Sequence, residues 1–436
     1  MSDAATGRPK LTARQAAFIG VGAMVGAGIF SLLGAAGEVA GAAVWISFLL
    51  AGGVAVLQGY SFAKFGARYP SAGGLMEYVA RGFGDGHMTG IIGWLVLATN
   101  AVVTAMVAVS FGSYASSAVS DGSTAWSRFF AVLVVFVMTM LNVLGSRAVA
   151  KAQTLVVVVV IGILSVFAVV TLANIDTSLL AFSGYPSLKD IVSSVALTFF
   201  AFLGFGVITF TARDLTHPRR DLPRAVYLAL GIATVIYVAV ALGVFGTLTV
   251  EKVIESGGTA IAVAAEPTLG RAGYWMMTVT ALFATAGATN AGLYPATGLC
   301  QHMATTRQFP PTLGRRVGKR GAGVGLLLTA LIAIVLAAGF DLSSIASLGS
   351  AIALMVFALV SAGHLRVRSE TGANAVLLLA AILSAVVVLV TFTFTTLVDE
   401  PGTTIALGVI LVLSVVLDFA WKRVRPVDTV TPAAAR

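Results

Sequence analysis

The chain has 436 residues, of which 58% are hydrophobic and 10% are charged, and its formal net charge is +9. Soluble domains carry about 25% charged residues, so this composition excludes a water-soluble globular enzyme and a disordered protein. The single cysteine, Cys300, has no partner for an internal disulfide and is interpreted as a small buried apolar residue.

Long apolar segments recur along the whole chain. A helix needs about 20 apolar residues to cross a bilayer, and these runs lack the alternation of barrel strands. Even β-branched runs are expected to be helical, because a spanning segment in lipid must satisfy its own backbone. We predict twelve transmembrane helices, over residues 12–37, 41–63, 88–118, 126–145, 152–173, 190–212, 225–249, 273–302, 323–340, 343–364, 373–397 and 402–421.

The positive charges sort to one side of these predicted helices. With the N-terminus in the cytoplasm, 23 of the 27 Lys and Arg residues fall inside, and a missed helix would invert every later loop. The outer side keeps only Arg128, Lys189, Lys252 and Arg271. The tails 1–11 and 422–436 are therefore predicted to be cytoplasmic, with no cleaved signal peptide. Asp418 lies near a helix end and is expected to reach the interface. The basic charge reflects topology, and no nucleic-acid partner is predicted.

Two predicted helices are richer in glycine than a lipid anchor requires: residues 20–30, GVGAMVGAGIF, and residues 198–210, TFFAFLGFGVITF. Glycine destabilises a helix by about 1 kcal/mol relative to alanine, so we predict a break in each. A break exposes N–H groups that suit a carboxylate, and carbonyls that suit an ammonium group or Na⁺. Gly22 and Gly26 also form a G-x-x-x-G packing motif, but that interpretation leaves the second break without a cause.

The two breaks lie in the first and sixth predicted helices, which enter the membrane from opposite sides. Two five-helix units, 12–173 and 190–364, would then be related by inversion, with two C-terminal helices over 373–421. This is the arrangement of a secondary transporter with a central site. The four histidines show no metal-ligand spacing and no ATP-binding motif is present, so no metal or cofactor is predicted.

Several motifs resemble one family of membrane carriers. Residues 22–30, GAMVGAGIF, resemble the first-helix signature of the amino acid–polyamine–organocation permeases. Residues 68–74, RYPSAGG, resemble the loop between that family's second and third helices. Residues 199–205, FFAFLGF, and 214–224, DLTHPRRDLPR, are similar to its sixth helix and the following loop. The resemblance implies an all-α polytopic fold of twelve helices. These form a 5+5 inverted repeat with discontinuous helices 1 and 6, as in LeuT, plus two C-terminal helices.

The resemblance also implies a site for an amino acid or related amine, built from backbone groups at the two breaks. The amides implied to hold the substrate carboxylate are those of Gly26, Ala27 and Gly28. The carbonyls implied to hold its amine are those of Met24, Phe200 and Leu203. This chemistry agrees with the reasoning from the breaks themselves, because neither half of the zwitterion needs a charged side chain.

Further residues are interpreted around this site. Phe200, with Phe202, is implied to close it from outside as an aromatic gate. Thr285 and Thr289 offer hydroxyls to a Na⁺ site, although threonines in membrane helices often bond their own backbone. Asn100, in the third predicted helix, is interpreted as bonding a neighbouring helix rather than substrate.

Two positions depart from the family's pattern. Proton-coupled members can carry a lysine where this chain has Val160, and valine carries no proton. A position that is acidic in some members that handle dibasic amines is Gly206 here, which weakens a polyamine or arginine assignment. The sequence therefore predicts a plasma-membrane permease that moves a small neutral amino acid by alternating access.

The alternatives are a polyamine or cationic amino acid permease or exchanger, and a non-transporting sensor with the same fold. A channel is disfavoured because charged rings or carbonyl filters are commonly supplied by several subunits. An intramembrane enzyme would need paired titratable groups at membrane depth, and the sequence shows none.

Overall fold

The computed structural model describes residues 11–424 apart from 27, 72, 121, 145–146, 318–321 and 399. Helices make up most of this part of the chain. They are α1 Ala13–Val25, α2 Ile29–Ala40, α3 Val44–Arg68, α4 Leu75–Phe83, α5 His87–Ser120, α6 Thr124–Leu144, α7 Arg147–Ala173, α8 Leu188–Phe200, α9 Pro218–Phe245, α10 Val250–Ser256, α11 Ala260–Thr305, α12 Val324–Gly339, α13 Leu342–Arg366, α14 Arg368–Thr371, α15 Ala375–Phe392 and α16 Pro401–Val424. A 3₁₀ helix, Leu203–Asp214, follows α8, and a π turn, Thr393–Leu397, follows α15. Arg316–Val317 pairs with Ala322–Gly323 as a short antiparallel ribbon.

Helices occupy all twelve segments that the sequence assigns to the membrane. Within the described residues, nine helical stretches are long and apolar enough to span a bilayer, and α1 and α12 are shorter apolar helices. The chain is thus an all-helical protein with the build of a polytopic membrane protein. The count of twelve crossings and the inverted repeat of two five-helix units stay predictions.

The surface of the bundle shows why it needs lipid. Phe136 on α6, Leu383 on α15 and Val412 on α16 each have more than half of their side chain exposed. Many other Val, Leu and Phe side chains on these helices are exposed in the same way. Monomeric soluble proteins rarely expose an apolar surface of this extent. Helices α6, α15 and α16, together with α7 and α12, therefore present apolar faces suited to acyl chains, whereas α5 and α13 are mostly buried.

Helix ends follow local signals that the sequence carries. Thr12 caps α1 through a capping box, in which its side chain accepts from the Gln15 N–H and the Gln15 side chain accepts from the Thr12 N–H. Asp341 caps α13 by accepting from the Ser344 N–H at 2.9 Å. Pro218 opens α9 at the first helical position, where a missing N–H costs nothing.

One buried cluster of charges joins the end of α16 to the start of α5. Asp418 is fully buried, and its carboxylate contacts Lys422 Nζ at 2.8 Å and His87 Nδ1 at 2.6 Å. Lys422 Nζ also donates to the Gly86 carbonyl at 2.8 Å. Packing of α16 against α5 covers Asp418 and supplies its partners, and the expectation that it lies near the interface stays a prediction.

Candidate functional site

The first predicted break is present between α1 and α2. Gly26 and Gly28 lie between the two helices, and both of their N–H groups donate to the Met24 carbonyl, Gly28 at 3.2 Å. The predicted carboxylate-binding amides and one predicted amine-binding carbonyl are therefore bonded to each other. Ala27, the third predicted amide, lies outside the described residues. In the opening turn of α2, the Ser31 and Leu32 N–H groups donate to the Gly28 carbonyl at 3.3 and 3.1 Å.

The second predicted break separates α8 from the 3₁₀ helix. Ala201 and Phe202 form a turn, and the chain then continues with tighter winding instead of an unwound loop. The Ala201 carbonyl, in this turn, accepts from the Tyr237 hydroxyl at 3.0 Å. Carbonyls in the last turn of a helix lack intrahelical donors, and the roles of the Phe200 and Leu203 carbonyls in holding the substrate amine stay predictions.

The two breaks touch, and glycine makes their approach possible. A Cβ on Gly28 would lie 2.0 Å from the Cβ of Ala201 and 2.3 Å from its Cα. A Cβ on Gly204 would lie 2.5 Å from the backbone of Ala23 and Met24. Backbone groups of α1, α2 and the α8 end thus face one another without intervening side chains. A site built from peptide groups needs this closeness.

Helix α11 forms a third wall beside the first break. A Cβ on Gly26 would lie 2.5 Å from both the carbonyl oxygen of Ala284 and the Cβ of Ala288. Val160 on α7 lines a cavity of about 10 Å³ together with Gly26 and Ala284. Val160, where some family members carry a lysine, therefore lies beside the first break in apolar surroundings.

A larger cavity of about 90 Å³ lies between α1, at Ala23, and the start of the 3₁₀ helix, at Leu203 and Gly204; Met24, Gly26, Gly28 and Phe200 are not among its lining residues. Its lining includes Ala23, Phe62, Thr99, Asn100, Leu203, Gly204, Gly206 and Phe357. Among the described residues that line it, none is charged, and only Thr99 and Asn100 have polar side chains. The cavity suits a ligand whose charges are met by backbone groups and whose side chain is uncharged.

The cavity continues toward one end of the bundle. A second cavity of about 320 Å³ shares Val207, Phe210 and Ala291 with it and extends to Leu11 and Asp214. At that end the Leu11 N–H donates to the Asp214 carbonyl at 2.7 Å. The two neighbouring cavities therefore extend from the 3₁₀ helix toward the end of the bundle where Leu11 and Asp214 lie.

The opposite end of the site is closed by packing. A Cβ on Gly34 of α2 would lie 2.7 Å from the Cα of Gly257. The Tyr114 hydroxyl donates to the Phe30 carbonyl at 3.2 Å, and the two rings meet edge to face. These contacts hold α2 against the segment at Gly257 and against α5 on this side of the first break.

A family model described as "Amino acid permease" matches residues 11–417. The chain belongs to the amino acid permease family. It is 32% identical over 409 residues to the inner membrane transport protein YbaT of Escherichia coli, covering 93% of this chain and 94% of that one. It is 26% identical to the methylthioribose transporter of Bacillus subtilis, over 56% of each chain. It is 25% identical to the branched-chain amino acid permease BcaP of Bacillus subtilis, over 51% of each. This permease is therefore a multi-pass membrane transporter and not an enzyme.

The predicted gate residues of this permease point in different directions. Phe200 packs toward α13 and α5, where a Cβ on Gly349 would lie 2.4 Å from its ring, and Val102 is adjacent. Phe202 instead meets Tyr237 of α9 edge to face, with ring centroids 5.1 Å apart. Both rings are buried, and their role as a gate stays a prediction.

The predicted ion residues bond their own helix. The Thr285 hydroxyl donates to the Ala281 carbonyl at 2.6 Å, and the Thr289 hydroxyl to the Thr285 carbonyl at 2.9 Å. This is the usual arrangement of threonine in membrane helices, and the ion site stays a prediction. Across the described part of the chain, no three His, Cys, Asp or Glu side chains come together as a metal site.

Asn100 was expected to bond a neighbouring helix. Its side chain lines the 90 Å³ cavity, and its amide forms no hydrogen bond with another described residue. The expected bond to a neighbouring helix is therefore not formed in this part of the chain. An amide facing a mainly apolar cavity is a candidate for orienting a ligand. Its place within an apolar stretch was the available signal, but the sequence does not show which face of α5 points inward.

We expect Asn100→Leu to raise the concentration for half-maximal uptake about tenfold, because a lost hydrogen bond to a charged ligand group costs about 1.5 kcal/mol. Thr99→Val is the matched control: Thr99 lines the same cavity, but its hydroxyl donates to the Leu95 carbonyl at 2.8 Å. Concentration-dependent uptake into proteoliposomes measures both. Equal loss in the two variants would contradict a role for the Asn100 amide.

Proposed function

We propose that this permease moves a small neutral amino acid across the plasma membrane by alternating access. The observation that carries the proposal is the contact between two interrupted helices beside a cavity without charged side chains. The match to the permease family supports an amino acid substrate. No ATP-binding motif is present in the sequence, so a gradient or exchange supplies the energy.

The backbone chemistry of the breaks supports a zwitterion. The Gly26 and Gly28 amides donate to the Met24 carbonyl, so donor and acceptor satisfy each other. In a bound amino acid, the carboxylate would accept from the Gly26 and Gly28 amides, and the ammonium group would donate to the Met24 and Phe200 carbonyls. A zwitterion therefore replaces both halves of the internal bond without leaving a buried polar group unpaired, which would cost about 1–3 kcal/mol. A purely anionic or purely cationic ligand leaves one half unmatched.

The direction of access follows from the proposed topology. With the N-terminus in the cytoplasm, the cavities that extend to Leu11 and Asp214 open inward. The packing of Gly34 against Gly257 closes the outside. This conformation is then the inward-facing state of the transport cycle. Opening to the outside would require α2 to separate from the segment around Gly257.

The proposed function is tested with purified protein in two steps. Thermal unfolding is measured with neutral amino acids, arginine, putrescine and methylthioribose, because a ligand at 100 times its dissociation constant stabilises the folded state by about 2.7 kcal/mol. Uptake of the stabilising compounds into proteoliposomes follows. Saturable, stereoselective uptake of a neutral amino acid is expected. Uptake restricted to arginine or putrescine would favour the cationic permease, and binding without uptake would favour the sensor.

Substitutions at Gly206 test whether the absence of a negative charge at this position explains a preference for neutral substrates. Gly206 lines the cavity, and a Cβ there would have no heavy atom within 4 Å. We expect Gly206→Asp to shift uptake toward dibasic amines over neutral amino acids by at least about tenfold, which is about 1.4 kcal/mol. Gly206→Asn is the control of equal size without charge. Competition between labelled lysine and labelled leucine measures the ratio, and an equal shift in both variants would contradict the electrostatic explanation.

A further inference from the structure

A separate basic pocket lies where α3 ends and α9 begins, away from the two breaks. It has a volume of about 540 Å³ and is lined by Lys64, Arg68, Arg219, Tyr227 and Thr371, with small apolar residues between them. Three of its side chains are cationic, and no carboxylate is among the described residues that line it. Elements far apart in the sequence, α3, α9 and α14, meet to form it.

The three cations have no acidic partner in the described part of the chain. Lys64 Nζ donates to the Gly372 carbonyl at 3.4 Å, and Arg68 Nε donates to the Glu370 carbonyl at 3.2 Å. The Glu370 carboxylate instead accepts from the Tyr69 hydroxyl. Neither these two cations nor Arg219 is within salt-bridge distance of a described carboxylate. Three like charges around one pocket repel one another, and an anion in the pocket removes that repulsion.

The pocket opens at the lipid-facing surface of the bundle. Tyr227 and its neighbour Leu228 are 39% and 43% exposed, on the outer face of α9. Tyrosine is enriched where membrane and water meet, and guanidinium groups bind phosphate oxygens through paired N–H donors. Under the positive-inside topology, this end of α3 and α9 lies at the cytoplasmic leaflet.

We propose that the pocket of Lys64, Arg68 and Arg219 binds a phosphate group, carried by an anionic phospholipid of the cytoplasmic leaflet or by free phosphate. The shared chemistry is a compact oxyanion that meets two guanidinium groups and one ammonium group. Basic pockets between transmembrane helices on the cytoplasmic side have this character. The pocket shares no lining residue with the cavity at the breaks, so this inference does not depend on the transported substrate.

The test compares two triple variants of the full-length protein with the same change in charge. K64Q/R68Q/R219Q removes the pocket cations, and R220Q/R224Q/R315Q removes exposed arginines outside the pocket. Delipidated protein is titrated with phosphatidylglycerol, with phosphatidylcholine, and with inorganic phosphate against chloride at equal ionic strength. Native mass spectrometry and thermal unfolding report binding.

We expect the affinity for phosphatidylglycerol to fall about 100-fold in the pocket variant, because each basic residue near a membrane surface contributes about fivefold. The control variant retains its affinity. A response to phosphatidylglycerol alone assigns a lipid, and a response to inorganic phosphate that the pocket variant loses assigns free phosphate. Wild-type affinity in the pocket variant, or equal losses in both variants, would overturn the proposal. Should the triple variant not fold, Arg219→Gln, at an exposed position, is compared with Arg220→Gln.

Discussion

Gly28→Ala is expected to remove most substrate uptake while leaving the permease inserted in the membrane. The new Cβ would lie 2.0 Å from the Ala201 Cβ and 2.3 Å from its Cα, so the two breaks must move apart. The nearest atoms include backbone, which has no rotamer to change. Overpacking costs typically 1–3 kcal/mol, and if that cost falls on the substrate-binding conformation, uptake falls about 10- to 100-fold. Uptake into proteoliposomes, normalised to inserted protein, measures it.

Gly53→Ala is the matched control for this change. Gly53 lies within α3, and a Cβ there would meet no heavy atom within 4 Å. Alanine also favours a helix over glycine, so Gly53→Ala is expected to leave uptake unchanged and insertion undiminished. If Gly28→Ala transports as well as Gly53→Ala, the peptide groups at the breaks are not the substrate site.

The second large effect is expected at the buried charges of α16. The Lys422 side chain is only 8% exposed. Asp418→Leu removes its carboxylate partner and leaves the ammonium group buried. Removing one member of a buried ion pair costs about 3–5 kcal/mol because the remaining charge stays buried. We expect the unfolding temperature in detergent to fall strongly and α16 to become accessible to protease. Thermal unfolding followed by tryptophan fluorescence measures the first effect, and limited proteolysis the second.

The double variant Asp418→Leu with Lys422→Met separates pairing from packing. Replacing a buried ion pair by apolar residues of similar volume is often neutral or stabilising. We expect the double variant to recover most of the stability that the single variant loses. A double variant as unstable as the single one would show that the shape of Asp418, in contact with His87 and next to Gly90, matters more than the charge of Lys422.

Much of the candidate site was predictable because its signals are local. The glycines of 20–30 and 198–210 weaken helices through backbone entropy, a property of each residue that does not depend on its neighbours in space. The structure accordingly interrupts α1–α2 at Gly26–Gly28 and ends α8 at Phe200. The sequence predicted the position of the second break but not the 3₁₀ helix that follows it. That tighter winding depends on how the segment packs against α1 and α9.

The directions in which side chains point were harder to predict from the sequence. Asn100 was expected to bond a neighbouring helix but lines the cavity, and the sequence did not show that helix packing buries Asp418. Both lie in helices that are apolar on nearly every face, so the hydrophobic pattern does not distinguish the side toward the centre from the side toward lipid. Only the packing of neighbouring helices makes that distinction.

The sequence alone predicted a helical membrane permease, the twelve long apolar segments that are helical, and the two places where helices are interrupted. Apolar length, charge placement and glycine content act within a single segment, and lipid leaves the backbone few alternatives to a helix. Only the tertiary structure decided that Gly28 meets Ala201 and that Lys64 and Arg219 share a pocket. Such pairs are more than 150 positions apart, and their contact depends on how whole helices pack, which no local pattern encodes.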